Sequence, residues 1–285
     1  MPSSEGTVVA AFGRECLVRS PAGLLACKVR NRRLHAVCGD RVMLSGAVVE
    51  AIGPRANVFS RSSAHRTKVI AANVTQVLML VGAEPSFSDE LICRVLVAAA
   101  RAAIPALLVL NKIDLESAAA AARARLAAFT AAGCALLELA ARHDAAPLVP
   151  RLAGERTVLV GQSGMGKSTL VKKLVPDAEV RIGEISRFLD AGRQTTSAAR
   201  LYSVYAQGEI VDTPGFAEFG LAGLGAREIA AGFAEFGRHA AGCRFRDCRH
   251  LAEPGCGVRA AAQAGAVHPR RLELYERIVK LEGAK

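Results

Sequence analysis

The sequence predicts a multidomain protein with an N-terminal OB-fold β-barrel, a central α/β domain and a C-terminal, mainly helical domain. Five short segments of alternating character occupy residues 1–62, and continuous apolar runs then alternate with helical patterns. A cluster of cysteine and histidine residues follows near the C-terminus. Many short strands favour a barrel, and strands that alternate with helices favour a doubly wound, mostly parallel sheet. We therefore place the barrel at residues 1–62, the α/β domain at 63–225 and the helical domain at 226–285.

The composition favours a polyanionic partner. The chain has 37 Lys and Arg residues against 26 Asp and Glu residues, a net charge of +11, and its pI is near 9.6. RNA, DNA and an anionic membrane surface fit this charge, and so does a generally arginine-rich composition without such a partner. No apolar run reaches the ~18 residues that a membrane-spanning helix needs, and the N-terminus lacks a signal-peptide pattern. We expect a cytoplasmic protein that does not enter a membrane.

The predicted barrel has five strands separated by turn residues, at 7–11, 16–19, 24–29, 41–44 and 48–52. Basic side chains are spread along it, whereas Phe12 and Phe59 are the only Phe, Tyr or Trp residues before the α/β domain. Base-specific binding of single-stranded RNA usually needs aromatic stacking surfaces. We therefore favour contact with an RNA backbone over base readout, with a solvated barrel surface as the alternative. A basic linker is predicted at 57–68.

Buried strands and helices alternate through the α/β domain. The predicted elements are strand 74–81, helix 87–103, strand 105–110, helix 116–132, strand 134–139, a short helix, a strand ending at 160, a hairpin of 201–205 and 209–211, and C-terminal helices 258–265 and 269–281. Ligands of such sheets bind at the C-terminal ends of the strands. Motifs at those ends are therefore the candidate functional residues.

A glycine-rich turn between strand and helix matches the phosphate-binding pattern G-x-x-x-x-G-K-[ST] at every defined position. The loop consists of Gly161, Gln162, Ser163, Gly164, Met165, Gly166, Lys167, Ser168 and Thr169. Glycines let backbone N–H groups approach phosphates, and a helix N-terminus favours negative charge. We expect Lys167 to reach the outer phosphates and Ser168 to bind Mg²⁺. The sequence therefore predicts a nucleotide-binding protein, and the alternative is a turn that binds nothing.

A second motif follows the predicted strand 105–110 and consists of Asn111, Lys112, Ile113 and Asp114. The Asp114 carboxylate can accept hydrogen bonds from N1–H and the 2-amino group of guanine. Adenine lacks this donor pair and would leave the carboxylate unsatisfied, at a cost of about 1–3 kcal/mol. We expect Asn111 to hold the neighbouring loop and the Lys112 stem to lie on the base. The motif predicts guanine selectivity, and a polar loop with ordinary capping is the alternative.

The third motif is Asp212-Thr213-Pro214-Gly215, at the end of a predicted strand. We expect Asp212 to reach Mg²⁺ through a water and the Gly215 N–H to sense the γ-phosphate. Thr195 and Thr196 lie before this motif, and one of their hydroxyls would complete the Mg²⁺ shell. Common GTPases carry N-K-x-D after the other motifs, whereas here it comes first. The order predicts a circularly permuted P-loop GTPase, which is tolerable because chain termini usually lie at the surface.

A set of metal ligands lies in the predicted helical domain. Cys243, Cys248, His250 and Cys256 offer three thiolates and one imidazole within fourteen residues. Such a complete tetrahedral set is typical of a structural zinc site. The alternative is a group of reduced thiols packed in a small helical domain, although so short a segment cannot bury a core of its own.

Together, these features resemble the circularly permuted GTPases of small ribosomal subunit biogenesis, the RsgA/YjeQ family, over essentially the whole chain. The matching segments are 38–42 and 53–57 in the barrel, 182–186, the three nucleotide motifs and the four zinc ligands. The resemblance implies a cytoplasmic GTPase that uses GTP, GDP and Mg²⁺ and holds one structural Zn²⁺. It also implies binding to the 30S subunit late in its maturation, contact with 16S rRNA, and faster hydrolysis when bound. We expect a monomer.

The predicted catalytic residues are Lys167, Gln194, Thr195, Thr196 and Gly215, and among them the chain departs from the family pattern at Gln194, where family members commonly have His. Family members also carry an apolar residue where other GTPases place a water-orienting Gln, and Phe216 fits that pattern. An amide can orient water but cannot accept its proton at neutral pH, so we predict slow intrinsic turnover. Residues 138–141 show no clear match to the family's guanine-shielding loop.

The sequence leaves two alternative functions open. One is a nucleotide-gated rRNA-binding module in which hydrolysis is incidental. The other is an ATPase whose N-K-x-D motif takes no part in base selection. Guanine and adenine nucleotide affinities would separate the second from a GTPase.

Overall fold

The first five strands close into a barrel. The computed structural model describes residues 4–31, 33–63, 66–176, 183 and 199–283. The barrel strands are β1 (Ser4–Phe12), β2 (Glu15–Ser20), β3 (Gly23–Val29), β4 (Arg41–Ser45) and β5 (Val48–Ile52). They pair in the order β1, β2, β3, β5, β4, and β4 returns to β1. Alternate side chains, among them Val8, Val18 and Leu44, fill the interior. The predicted OB-fold barrel is confirmed.

The segment predicted as a basic linker is a β-hairpin instead. β6 (Val58–Ser63) pairs antiparallel with β7 (Arg66–Ala72). Phe59 in β6 is fully buried, and its ring centroid lies 5.7 Å from that of Phe219. The linker prediction was wrong because it was based on the positive charges of this segment and did not consider that Phe59 could be buried. The domain boundary predicted after residue 62 falls inside β6 and stays a prediction.

The central sheet is parallel except at one edge. Its strands are β8 (Gln76–Gly82), β9 (Ala106–Asn111), β10 (Ala135–Leu139), β11 (Arg156–Val160), β12 (Arg200–Ser203) and β13 (Glu209–Asp212). Their order is β10, β9, β8, β11, β13, β12, and β12 alone runs antiparallel to its neighbour in this group. The chain builds outward from β8 and then returns to the other side of β8 with β11. Such a reversal opens a crevice at the C-terminal ends of the strands, where ligands bind.

Helices cover this sheet and form the C-terminal domain. They are α1 (Asp89–Arg101), α2 (Glu116–Ala131), α3 (Val149–Leu152), α4 (Lys167–Leu174), α5 (Ala226–Ala231), α6 (Ala234–Ala240), α7 (Gly257–Gln263) and α8 (Pro269–Gly283). Ser88 caps α1, because its hydroxyl accepts a hydrogen bond from the Leu91 N–H at 3.2 Å. In the part of the chain that the structure describes, no helix is both long and apolar enough to cross a membrane.

Ion pairs fix the C-terminal helix α8 to the α/β domain. Arg94 on α1 pairs with Glu282, and Arg270 Nη2 lies 2.9 Å from Asp89 Oδ2. Arg271 is only 2% exposed, and its Nε donates to Glu235 Oε1 at 2.7 Å. Breaking a buried pair of this kind leaves an uncompensated charge and costs several kcal/mol. The barrel is joined to the same sheet at its other end, where β1 pairs with β12.

Candidate nucleotide and metal sites

Three loops meet at the C-terminal edge of the central sheet, after β9, β11 and β13. They border a cleft of about 530 Å³ that is lined by Lys112, Ser163, Gly164, Gly166, Lys167, Ser168, Thr169, Arg200, Asp212, Thr213, Pro214 and Gly215. A larger cavity of about 750 Å³ lies between the barrel, the hairpin and residues 214–218, but residues 161–169 take no part in its walls. The smaller cleft is therefore the one that holds the predicted phosphate chemistry.

Glycines set the shape of the phosphate loop. Gly164 and Gly166 have φ angles of +79° and +98°, in the left-handed region that favours glycine. A Cβ on Gly166 would lie 2.3 Å from Asn111 Nδ2, and a Cβ on Gly161 would lie 2.5 Å from the carbonyl oxygen of Leu80. Both distances are too short for any side chain. The loop can follow this path only with glycine at these positions.

Lys167 begins α4, and its ammonium group is fixed by the loop itself. Its Nζ donates to the carbonyl oxygens of Gly161 and Gln162 at 2.8 and 2.9 Å. Burial lowers the pKa of Lys167, and the nearby Asp212 carboxylate partly opposes this effect. Ser168 and Thr169 follow in the first turn of α4 and line the same cleft.

Asn111 joins the N-K-x-D motif to the phosphate loop. Its Nδ2 donates to the carbonyl oxygen of Met165 at 2.9 Å, and its Oδ1 accepts from the Ala141 N–H at 2.8 Å. The side chain is 3% exposed, so its hydrogen bonds form away from water. Two motifs that are fifty residues apart in sequence thus form one wall. The loop after β10, for which no family match was found in sequence, is held to the same wall through Ala141.

The remaining residues of this motif lie beside Asn111. Lys112 has a φ of +65°, and its Nζ donates to the Glu84 carbonyl oxygen at 2.6 Å. Ile113 packs partly against the core. The Asp114 side chain is 34% exposed, and its Oδ2 lies 3.7 Å from Nε2 of His143. In the sequence, His143 belongs to no ligand spacing that would point to a role. Only the folding of the β10 loop brings it to Asp114.

The third motif lies directly against the phosphate loop. Thr213 donates through its hydroxyl to the Leu159 carbonyl oxygen at 2.6 Å, and the Phe216 N–H donates to the Gly161 carbonyl oxygen at 3.2 Å. A Cβ on Gly215 would lie 3.3 Å from Lys167 Nζ. Burial raises the pKa of Asp212, and the positive charges of Lys167 and Arg200 oppose this. All three nucleotide motifs therefore meet at one edge.

One lining residue, Arg200, was not singled out in the sequence. It occupies the position on β12 directly opposite Asp212 on β13. A strand pairing can be foreseen from a hairpin pattern, but its register cannot be read with the certainty of a motif. Three predicted catalytic residues, Gln194, Thr195 and Thr196, lie outside the described residues.

The four predicted metal ligands come together. Their donor atoms all lie within 4.8 Å of one another. His250 Nδ1 is 3.6 Å from Cys243 Sγ and 3.4 Å from Cys256 Sγ. A tetrahedral Zn²⁺ with Zn–S of about 2.3 Å and Zn–N of about 2.0 Å separates such ligand atoms by about 3.5 Å. The residues present therefore fit a closed structural zinc site.

The surroundings of this cluster also suit a metal. The Gly257 N–H donates to Cys243 Sγ at 3.2 Å, which is a typical outer contact of a ligating thiolate. The His250 ring packs edge-to-face on Phe236, with ring centroids 6.0 Å apart. Cys248, His250 and Cys256 are buried. The cluster connects the short helices α6 and α7, and its buried residues Cys248 and Cys256 pack in the main apolar core.

Comparison with known proteins gives a consistent result. The model of the RsgA GTPase family matches residues 52–222. The chain is 44% identical over 284 residues to the small ribosomal subunit biogenesis GTPase RsgA of Nitrosospira multiformis, covering 98% of this chain and 91% of the relative. It is 44% identical over 286 residues to the RsgA of Bordetella pertussis, covering 97% and 95%.

Two solved structures share the fold. The crystal structure of YjeQ from Thermotoga maritima matches with a TM-score of 0.77 at 27% identity, covering 100% of both chains. The crystal structure of YloQ, a circularly permuted GTPase, matches with a TM-score of 0.73 at 22% identity, covering 99% of this chain and 96% of the other. At that identity the second match concerns the fold alone.

Proposed function

The chain belongs to the RsgA GTPase family and hydrolyses GTP, and from this premise we propose that it binds the 30S ribosomal subunit late in its maturation and uses GTP hydrolysis to time its own release. The names of its relatives support a role in biogenesis of the small subunit. The late stage and the timing of release are our own inference. They follow from a nucleotide cleft whose phosphate-sensing loop continues directly into the C-terminal domain.

One observation carries the proposal: the Asn111 side chain joins the base-selecting motif to the phosphate loop. This bond supports a single cleft that spans a guanine nucleotide from base to γ-phosphate. Asp114 accepts from N1–H and the 2-amino group of the base, and the stem of Lys112 lies along the ring. Backbone N–H groups of residues 161–169 surround the phosphates.

In the hydrolysis step, a water oxygen forms a bond to the γ-phosphorus while the bond from the γ-phosphorus to the β,γ-bridging oxygen breaks. Lys167 neutralises charge on the outer phosphate oxygens, and the Gly215 N–H donates to the γ-phosphate. Gln194 would orient the attacking water, and the hydroxyl of Thr195 or Thr196 would complete the Mg²⁺ shell. Ser168 directly, and Asp212 through a water, would hold Mg²⁺, which when bound neutralises the β- and γ-phosphate oxygens.

The C-terminal domain serves, in this proposal, as a zinc-stapled surface for 16S rRNA. Cys243, Cys248, His250 and Cys256 would hold one Zn²⁺, as the fit of their donor atoms supports. Phe245 in the same loop is 40% exposed, and the Arg244 guanidinium lies 5.5 Å from its ring centroid. An exposed ring beside positive charge suits stacking on an unpaired base. We further propose a cytoplasmic monomer, since RNA would take the place of a protein partner on these surfaces.

Base selection can be tested by replacing the Asp114 carboxylate with an amide. In Asp114→Asn, the amide keeps an acceptor for N1–H but presents a donor where the 2-amino group of guanine also donates. Affinity for GDP should fall by about tenfold or more, whereas affinity for xanthosine diphosphate, with a carbonyl at C2, should rise. The control is Asp144→Asn, which changes a neighbouring carboxylate that accepts a hydrogen bond from the Ala146 N–H. Unchanged guanine preference in Asp114→Asn would contradict the assignment.

The link to the ribosome is tested by measuring GTP turnover with and without purified 30S subunits. We expect the subunit to accelerate GTP turnover. Lys167→Ala should abolish turnover both with and without the subunit. The control is Lys172→Ala, which changes an exposed lysine of the same helix and should leave turnover intact. The subunit should bind more tightly with a non-hydrolysable GTP analogue than with GDP. A hydrolysis-defective variant that still completes subunit maturation in cells would favour the rRNA-binding module instead.

A further inference from the structure

We propose that Arg200 supplies the positive charge that stabilises the γ-phosphate in the transition state, as an arginine provided within the same chain. The proposal adds a residue to the GTPase reaction that none of the three nucleotide motifs contains. It rests on the GTPase activity alone and does not depend on the ribosomal part of the proposed function.

The backbone of Arg200 is held on both sides. It pairs with Asp212 of β13 on one side and with Ala10 of the barrel strand β1 on the other. Directly opposite residues of an antiparallel pair present their side chains on the same face of a sheet. The side chains of Arg200 and Asp212 therefore share a face, and both line the nucleotide cleft. A residue held between two neighbouring strands is positioned more rigidly than one on a loop.

The surroundings of the side chain point the same way. Tyr202 lies two residues further along the same face of β12. Tyr202 is itself 3% exposed and is packed in the core. The positive charges of Arg200 and Lys167 both oppose the burial that raises the pKa of Asp212. Arg200 therefore has a buried tyrosine next to it on its own strand and lies directly opposite the carboxylate expected to approach Mg²⁺.

The cleft needs such a charge. Phe216 follows the D-x-x-G motif but is buried, with its ring 5.7 Å from Phe219 and the Arg61 guanidinium 5.0 Å from its centroid. It faces the core and cannot orient water. Among the described residues that line the cleft, the cations are Lys112, Lys167 and Arg200. Lys112 belongs to the base-selecting motif, so Arg200 is the guanidinium that lines this cleft together with Lys167.

In the hydrolysis step Arg200 contributes only its positive charge. The incoming water oxygen bonds to the γ-phosphorus, the bridging oxygen leaves with GDP, and the water protons end on the released phosphate and solvent. Arg200 remains a guanidinium throughout, because arginine side chains stay protonated in proteins. An arginine that approaches the γ-phosphate in this way is worth about 10³–10⁵ in rate in GTPases that have one.

Single-turnover hydrolysis of Arg200→Gln tests the proposal. Glutamine keeps part of the length and a hydrogen-bond donor but removes the charge. We expect the rate to fall by about 100-fold or more, whereas the affinity for GDP changes by less than about threefold. Affinity for GDP with aluminium fluoride, which mimics the transferring phosphoryl group, should fall with the rate. Arg200→Lys should recover part of both, since it restores the charge without the planar fork.

A structural role predicts a different pattern. Arg156 pairs with Glu209 at the opposite end of β13, with Nε 2.7 Å from Oε2. Arg156→Gln is therefore a control that disturbs the same strand away from the cleft, and it should leave the rate unchanged. The proposal is overturned if Arg200→Gln keeps the wild-type rate, if it weakens GDP and the aluminium fluoride complex equally, or if Arg156→Gln reproduces its effect. Should Arg200→Gln not fold, Arg200→Met decides: a full wild-type rate and full aluminium fluoride affinity without the positive charge would refute the proposal.

Discussion

Gly166 is the residue at which the two halves of the nucleotide cleft come into contact. Its φ of +98° directs the phosphate loop toward the N-K-x-D motif, and its missing side chain leaves room for Asn111 Nδ2. The adjacent Met165 carbonyl then accepts the hydrogen bond that joins the motifs. The motif proposed to select guanine and the loop proposed to bind phosphate therefore depend on the same few atoms.

Gly166→Ala should weaken GDP binding by about tenfold or more, because the new Cβ would lie 2.3 Å from Asn111 Nδ2 and displace it. The measurement is GDP affinity by titration. Gly133 offers a matched control, since its φ is +91° and a Cβ at this position would have no neighbouring atom within 4 Å. Both variants should lose about 1–2 kcal/mol of stability from the left-handed backbone. Equal GDP affinity in the two variants would show that contact with Asn111 is unimportant.

At the scale of residues, candidate functional residues could be predicted from the sequence when they belong to a contiguous motif. The phosphate loop and the four metal ligands carry their chemistry in their spacing, so the sequence was enough to find them. Arg200 and His143 reach the site only through strand register and loop folding. No local pattern distinguishes them from other surface residues.

Among the elements, the hairpin β6–β7 shows how one buried ring overrides composition. Arg61, Arg66 and Lys68 made this segment look like a solvated linker. In the fold, Arg61 and Lys68 are cross-strand partners, and their like charges, added to burial, lower the pKa of Lys68. The hairpin forms nonetheless, because Phe59 packs against Phe219 in the segment that follows the third nucleotide motif.

Phe59→Ala should lower the free energy of unfolding by about 3–5 kcal/mol, because it removes a fully buried ring and leaves a cavity. Urea denaturation followed by circular dichroism measures this change. Phe245→Ala removes a ring that is 40% exposed and should alter stability by no more than about 0.5 kcal/mol. A loss below about 1 kcal/mol in Phe59→Ala would mean that the hairpin is not anchored as described.

Elements with a strong local pattern were predictable, and those stabilised from outside were not. The strands β8 and β9 are continuous apolar runs, and α1 has a serine cap with an amphipathic face. The short helices α5 and α6 contain or adjoin Gly232 and Gly237, which disfavour helix on their own. Phe233 and Phe236 hold them by edge-to-face contact with Tyr275 of α8.

On the scale of the whole molecule, the α/β domain is attached to a different structure at each end. The barrel continues its sheet through β1 and β12, and α8 is bound to α1 by ion pairs. The N-terminus of α1 also touches the phosphate loop, where the Ser88 N–H donates to Gln162 Oε1 at 2.7 Å. A structural change in the phosphate loop could therefore reach the C-terminal domain through α1 and the barrel through β12 and β1.

These attachments predict what removal of zinc does. Cys243→Ser should lower the zinc content and loosen residues 243–256, because the metal would tie ligands from both ends of this segment together. GDP affinity should stay within about twofold of wild type, since the cleft is built from the loops after β9, β11 and β13 and the α8 ion pairs lie outside the cluster. Affinity for 30S subunits should fall by about tenfold, as the exposed Phe245 and its arginines lose their fixed position.

The matched control is Cys134→Ser, which changes a partly exposed cysteine outside the cluster. If the zinc-depleted variant lost GDP and 30S binding in parallel, the C-terminal domain would instead be a support for the nucleotide site, and its role as a separate rRNA surface would be refuted.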